Sequence, residues 1–468
     1  MKVEQLYTGC LAQGAYYIES KGEVAIIDPM REVSEYTDLA DSRGAKIKYI
    51  FETHFHADFV SGHVTLSERT GAPIIFGPNA STSFESTIAK DNQEFKLGEV
   101  SIKVLHTPGH TMESTCYLLI DEMGKEHSLF SGDTLFLGDV GRPDLAVKSD
   151  MTKEDLAGHL FDSLRNKIMI LADDVIVYPG HGAGSACGKN ISTDLVGSIG
   201  DQKQNNYALR SDMTKEEFVK EVTEGILPPP AYFPLNVGLN RNGYKDADKV
   251  LSEGKKPFTP TEFERTAENT DAVILDVRHQ DEFALGHIPN SIFIGINGGF
   301  APWVGALIKD VNQAILLVCH DDQLDETIKR LSRVGFDNVI GYLKGGFCAW
   351  TEEHNEIATV DTISSADFAS LIAKENLQVM DVRKENEYIS EHVMSAKNTP
   401  LDFLNQYMNE FSKDQTNYVH CAGGYRSMIA NSILKARGIH NLVDIQGGFG
   451  AIKNTSVPVS DFVCPSTL

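Results

Sequence analysis

The sequence predicts an α/β protein in three parts: a mixed α/β domain, then two copies of a smaller domain built on a parallel sheet. Three observations carry that prediction. Apolar, β-branched runs in the first half end repeatedly in Gly, Pro or Asp, the mark of strands closed by turns. The second half repeats itself: Ile274-Leu-Asp276-Val-Arg278 and His287 return as Val379-Met-Asp381-Val-Arg383 and His392 at a constant offset of 105 residues, the sign of a tandem duplication. Within each copy, short β-branched runs alternate with helix-like stretches, which argues for parallel strands joined by helical crossovers.

In chain order, the first domain, residues 1–240, reads as strands at 24–27, 48–52, 100–105, 116–120 and 175–178. Helical patterns fall at 33–42, 58–70 and 153–165. The prolines at 228–230 and Pro234 disfavour a helix interior and a central strand, so residues 227–234 read as stiff and extended and 241–257 as a linker. The first repeat, 258–355, carries strands at 272–275 and 314–318 and a helix at 325–334. The second, 360–468, carries strands at 378–380 and 418–419 and a helix at 427–436.

Composition bounds the function. At about 150 residues per domain, 468 residues give about three domains, and 41% apolar residues supply several cores. The longest uninterrupted apolar run, 314–319, is far shorter than the ~20 residues a membrane helix needs, and the first residues lack a signal-peptide core. A soluble, cytosolic protein without a membrane partner is expected. A formal charge of −24 opposes nucleic acid and anionic lipid, so an anionic substrate needs a local basic pocket. Seven scattered cysteines without a C-x-x-C pair make neither a disulfide framework nor a zinc ribbon. Reduced thiols, one or two of them reactive, are expected.

Four polar clusters in the first domain each follow a strand-like run: Thr53-His54-Phe55-His56-Ala57-Asp58, Thr107-Pro108-Gly109-His110, Ser131-Gly132-Asp133 and Tyr178-Pro179-Gly180-His181. Strand ends on one sheet edge converge on a common crevice, and imidazoles with carboxylates are the donors a catalytic divalent metal takes. In this order they resemble the metallo-β-lactamase superfamily, whose H-x-H-x-D-H signature reads here His54-Phe55-His56-Ala57-Asp58-Phe59. The resemblance implies an αββα sandwich. Phe59 departs from it: hydrolases of the superfamily carry a histidine there for a second metal, which disfavours a dinuclear zinc hydrolase.

The longer string from Glu52 to His63 resembles the persulfide dioxygenase branch. That resemblance implies one iron(II) per chain held by His54, His110 and Asp133 with three positions left open, as in facial-triad iron oxygenases. It makes His56, Asp58 and His181 outer groups that orient ligands or relay protons. Arg142, in Gly138-Asp-Val-Gly-Arg142-Pro-Asp144, resembles the family's substrate-anchoring arginine. Cys187, on a glycine-rich stretch after His181, is a candidate sulfur acceptor with a lowered pKa beside the cation; a buried, inert cysteine is the alternative.

In the second repeat, Cys421-Ala-Gly423-Gly424-Tyr-Arg426-Ser427 follows a strand and precedes a helix. Successive glycines turn backbone N–H groups inward into an anion nest, Arg426 adds a bidentate clamp, and Cys421 is expected as a thiolate. The loop and the Asp381-Val-Arg383 signature resemble the rhodanese sulfurtransferases, which implies a persulfide carried on Cys421 within a cradle of Gly423, Gly424 and Ser427. Four residues separate Cys421 from Arg426, one fewer than in tyrosine phosphatases, so the cradle suits sulfane sulfur better than phosphate. The first repeat reads Cys319-His-Asp-Asp-Gln323-Leu-Asp325 at this place. Without glycine or arginine, and with carboxylates that repel an anion and raise a thiol's pKa, it reads as a silent copy serving as spacer or docking surface.

Together the resemblances imply a fused enzyme. A persulfide of glutathione, coenzyme A or a similar low-molecular-weight thiol is oxidised by O₂ to sulfite and thiol, and sulfur transfer at Cys421 forms or consumes thiosulfate. Two rivals stay open: a glyoxalase II-like metal-dependent thioester hydrolase and a non-enzymatic sulfide-sensing scaffold. The oligomeric state stays open too, a homo-oligomer included.

Overall fold

A computed structural model of the chain describes residues 1–147, 151–226 and 228–464. The chain forms two compact units, Met1–Asp248 with Leu331–Gly335, and Lys249–Arg330 with Phe336–Leu468. Among the described residues no helix is long and apolar enough to cross a membrane.

Strand alternation decides the layering of the first unit. One six-stranded sheet runs Lys2–Thr8, Gln13–Ser20, Glu23–Ile27, Lys46–Glu52, Ile74–Phe76, Thr87–Ile88. The other runs Gly197–Ser198, Ile176–Pro179, Glu126–Gly132, Thr115–Ile120, Val100–His106, Glu94–Leu97. Side chains of period two, Tyr16, Ile18, Ala25, Ile27 and Phe51 from one sheet and Ile102, Val104, Tyr117, Leu119 and Phe130 from the other, fill the space between them. The opposite face of the second sheet, with Leu118, Leu129 and Val177, packs with Ala157 and Leu160 of the helix Lys153–Ser163. Helices Ser34–Ser42 and His63–Thr70 pack against Lys46–Glu52. The result is the αββα sandwich that the resemblance implies.

Two expectations change here. The helix predicted over 58–70 begins at His63. Residues 58–62 are instead held as a loop: Asn240 Nδ2 donates to the carbonyls of His56 and Phe59, and Ser61 Oγ donates to Glu52 Oε1 at 2.5 Å. The stretch 241–257, expected as a linker, contains the boundary between the two units and carries a helix, Ala247–Gly254, and a strand, Pro257–Phe258. Likewise Pro234 does not keep its segment extended: it sits in the first turn of the helix Phe233–Asn242, where a missing N–H has no partner to lose. Leu227 lies outside the described residues.

The second unit contains two five-stranded, all-parallel sheets. Their orders are Pro257–Phe258, Val339–Leu343, Ile315–Val318, Val273–Asp276, Ile292–Phe293 and Asp361–Ile363, Leu442–Ile445, Asn417–His420, Gln378–Asp381, Ala396–Asn398. The matching orders are the duplication in three dimensions. The recurring Asp-Val-Arg has a structural reason: Asp276 and Asp381, both fully buried, each take a bidentate bond from the arginine two residues on. Each arginine then donates to a carbonyl eight residues away, Gly286 or Glu391, fixing the turn after the strand.

Candidate functional site

The first unit delivers its polar residues at strand ends, as the sequence spacing requires. His54 follows Lys46–Glu52, His110 follows Val100–His106, Asp133 follows Glu126–Gly132 and His181 follows Ile176–Pro179. One donor atom each from His54, His110 and Asp133 lie within 4.8 Å of one another, and all three residues are buried. His110 Nε2 is 3.5 Å and His54 Nε2 3.9 Å from Asp133 Oδ2.

The other side of each imidazole sets its tautomer. His110 Nδ1 donates to the Arg142 carbonyl at 2.8 Å. Thr53 Oγ1 is 2.9 Å from His54 Nδ1 and donates its own proton to Asp28 Oδ2 at 2.8 Å, so it accepts from the ring. Both Nε2 atoms are left with a lone pair facing inward. Burial, and then the neighbouring His56, lower the His54 pKa well below its ordinary value. For Asp133 burial opposes ionisation, but His181, His54 and His110 outweigh it and hold the carboxyl far below the usual range. Asp133 Oδ1 accepts from His181 Nδ1 at 2.8 Å, whereas Oδ2 is buried without a partner. Two imidazoles and one carboxylate with an orphaned oxygen fit a divalent metal.

The chain closes tightly around this trio. Gly132 has φ +48°, and a Cβ there would lie 2.6 Å from Thr53 Cβ; one on Gly180 would lie 2.6 Å from Asp133 Oδ1. His56 sits beside the trio with Nε2 3.1 Å from Asp28 Oδ1 and 3.4 Å from Glu52 Oε2. Burial alone would lower its pKa, but those carboxylates lift it to about 10. Phe59 packs on it at 4.3 Å between ring centroids.

Asp58, His181 and Cys187 form a second buried group within 4.8 Å, with His181 Nε2 2.7 Å from Asp58 Oδ2. Of the two readings of Cys187, the buried one is favoured: Cys187 is 1% exposed, and burial with the charges of Asp58 and Asp133 raises its pKa well above the ordinary thiol value. Arg142 is likewise committed elsewhere: its guanidinium pairs with both oxygens of Asp144, at 2.6 and 2.8 Å, and reaches the Ala186 carbonyl. Its backbone carbonyl accepts from His110 Nδ1.

Asp28, Glu52 and Thr53 carry much of the geometry and were not singled out from the sequence. The available signal was Asp28 itself, an acid closing an apolar strand before a proline; it adopts φ +50°, a sparsely populated conformation for a residue with a Cβ.

In the second unit, Cys421 follows the strand Asn417–His420 and precedes the helix Tyr425–Ala436. Its Sγ accepts from the Gly424 N–H at 3.1 Å, Gly424 has φ +104°, and Ser427 Oγ donates to the Gly424 carbonyl. Side chains at Gly423 or Gly424 would meet nothing within 4 Å, so the loop's glycine edge is open. The expected clamp is corrected: Arg426 makes a bidentate pair with Glu387 at 2.5 and 2.8 Å. Cys319, the twin of Cys421, lies before a 3₁₀ turn, Asp321–Gln323. Burial, with Asp321, Asp276 and Asp322, pushes its thiol up to about 12.

Two family descriptions match the chain: rhodanese-like domain over residues 259–353 and 364–455, and metallo-beta-lactamase superfamily over residues 8–181. A hydroxyacylglutathione hydrolase of Rhizobium etli is 36% identical over 163 residues, 34% of this chain and 57% of that protein. A probable hydroxyacylglutathione hydrolase, glo2, of Schizosaccharomyces pombe is 31% identical over 160 residues, 34% of this chain and 58% of that protein. The chain thus spans less than three fifths of the length of these curated relatives. A crystal structure described as a metallo-beta-lactamase from Staphylococcus aureus subsp. aureus COL is 30% identical, with a TM-score of 0.64, and the match covers 73% of this chain and 98% of that one.

Proposed function

We propose a persulfide dioxygenase coupled to a sulfurtransferase for this chain, which belongs to the metallo-β-lactamase superfamily and carries two rhodanese-like domains. The observation that supports the dioxygenase most is the trio itself: two imidazoles with inward lone pairs and one carboxylate with a free oxygen, beside a phenylalanine where superfamily hydrolases place another imidazole. A single ferrous ion held by His54, His110 and Asp133 supplies the redox chemistry by which R–S–SH, O₂ and water become R–SH and sulfite.

The chain's residues do the rest. Thr53 and the Arg142 carbonyl keep the two imidazoles in the ligating tautomer, and His181 holds one Asp133 oxygen so that the other faces the ion. His54, His56, His110 and Asp133 are all at 2% exposure or less, which shields the ligand atoms from bulk solvent. At the second site, Cys421 accepts and passes on sulfane sulfur while the Gly424 N–H stabilises charge on its Sγ.

A hydrolase reading has its own support: the curated relatives named above, and the second buried group of Asp58, His181 and Cys187. Metal analysis and oxygen uptake separate the two. One iron per chain and oxygen consumption with glutathione persulfide or coenzyme A persulfide are expected. Two zinc ions per chain, thioester hydrolysis and no oxygen uptake would overturn the dioxygenase.

A further inference from the structure

The helix Tyr425–Ala436, which begins at the Cys421 loop, is tied to the first repeat. Tyr425 and Ser432 stand about two turns apart on one face of it. Tyr425 Oη donates to the Gly295 carbonyl at 2.6 Å, and the Phe293 N–H donates to Ser432 Oγ at 3.0 Å. The Phe293 ring meets the Tyr425 ring edge-on, 5.8 Å between centroids. Both anchors belong to the end of one strand, Ile292–Phe293, and the turn after it.

The turn is shaped for the ring. The Gly298 N–H donates to the same Gly295 carbonyl at 3.3 Å, and a Cβ on Gly298 would lie 2.3 Å from the Tyr425 ring. Arg330 Nη1 holds the Ile296 carbonyl, between the two glycines, at 2.8 Å. The duplication supplies a comparison. Phe293 pairs with Asp276 as Asn398 pairs with Asp381, and the same offset of 105 sets Pro400 and Phe403 where the first repeat has Gly295 and Gly298. The glycines therefore belong to the copy that meets Tyr425. On its other side Tyr425 follows Gly424, whose N–H reaches Cys421 Sγ at 3.1 Å. Gly424 has φ +104° and open space where a side chain would stand, so no packing of its own fixes that amide.

Resting on the sulfurtransferase reading, we propose that Tyr425 is a positioning residue: braced on Gly295 and Gly298 of the first repeat, it sets the Gly424 N–H on Cys421 Sγ. The copy without a reactive loop is then part of the sulfur-transfer centre. When a nucleophilic acceptor takes the outer sulfur of the Cys421 persulfide, a bond forms between acceptor and sulfur. The S–S bond breaks and its electron pair returns to Sγ. The Gly424 N–H is the donor that meets this charge, and no outside oxidant or reductant takes part. A donor held on a developing charge lowers the barrier, and a donor displaced from it slows the step without weakening the binding of substrate.

The test uses the full chain with thiosulfate as donor and cyanide as acceptor, followed by the thiocyanate formed. Tyr425→Phe keeps the ring and removes the bond to Gly295, whereas Gly298→Ala crowds the ring from the first repeat. Both are expected to lower kcat about fivefold to tenfold without raising the KM for thiosulfate. Ser432→Ala removes the other bond between the repeats, away from the loop, and is expected to leave kcat within about twofold. Rates are taken well below the melting midpoint of each variant, read by circular dichroism. An unchanged kcat in Tyr425→Phe and Gly298→Ala, or an equal loss in Ser432→Ala, overturns the positioning role, since a bond that serves only stability acts alike from either place. A loss that comes as a raised KM overturns it too. Absence of thiocyanate from the unaltered chain overturns the sulfurtransferase reading itself.

Discussion

Two imidazoles in the first unit have their tautomers set by protein atoms alone, and that makes the residues behind them testable. Thr53 Oγ1 links His54 Nδ1 to Asp28. Thr53→Ala is expected to weaken metal binding roughly 10–100-fold while the protein stays folded; competition against a chelator reads this, and unchanged affinity would remove Thr53 from the site. Thr53 itself was quoted within a sequence motif, yet its role was invisible there, because hydrogen bonding behind a ligand leaves no spacing pattern. His54, His110 and Asp133 were legible for the opposite reason: each ends an apolar run, and strand ends gather. For Cys187 the sequence left two readings open, because glycines around a thiol do not say which way it faces; the fold buries it against two carboxylates. Cys187 and Cys319 are therefore expected to resist iodoacetamide at pH 7.5 in the native protein, while the exposed Cys348 reacts; peptide mass mapping decides this.

At the scale of elements, the sharpest constraint is the end of the strand Glu126–Gly132. Gly132 turns the chain with φ +48° so that Asp133 enters the site, and Thr53 closes on it. Gly132→Ala adds a left-handed φ with a Cβ to a contact of 2.6 Å, and is expected to cost ~2–4 kcal/mol by denaturant titration and to lower metal content. The strand pattern of both units was readable because period-two alternation and buried parallel runs such as Ile315–Val318 leave few other readings. The late start of the helix at His63 was not, since Asn240, some 180 residues on, holds the preceding loop. The helix Tyr425–Ala436 and the strand Leu442–Ile445 carry a pH effect. Asp444 is raised to about 7, chiefly by burial, so the folded chain keeps a proton that the unfolded chain has lost. That cost is absent below about pH 4, grows up to pH 7 and is complete above it. Asp444→Asn is expected to stabilise the second unit by ~2–4 kcal/mol at pH 8 relative to its effect at pH 4; an equal effect at both would show that the carboxyl ionises normally.

At the scale of the whole molecule, the division into two compact units joins the chemistry to the energetics. Each unit buries its own clusters, with Tyr16, Phe51 and Phe130 in one and Phe263, Leu316 and Phe368 in the other, so each has the means to unfold as a cooperative body. The metal trio lies wholly in Met1–Asp248 and the Cys421 loop wholly in Phe336–Leu468. A ligand stabilises only the body whose native form binds it, by ~2.7 kcal/mol at a hundred times Kd. Anaerobic calorimetry of the full chain is thus expected to show two transitions, of which added ferrous ion raises one by roughly 5–10 °C. Asp133→Asn abolishes that rise and Cys421→Ser preserves it. A single transition that moves as a whole would mean that the two units melt together, and the metal would then report on the stability of the sulfur-transfer site as well as its own.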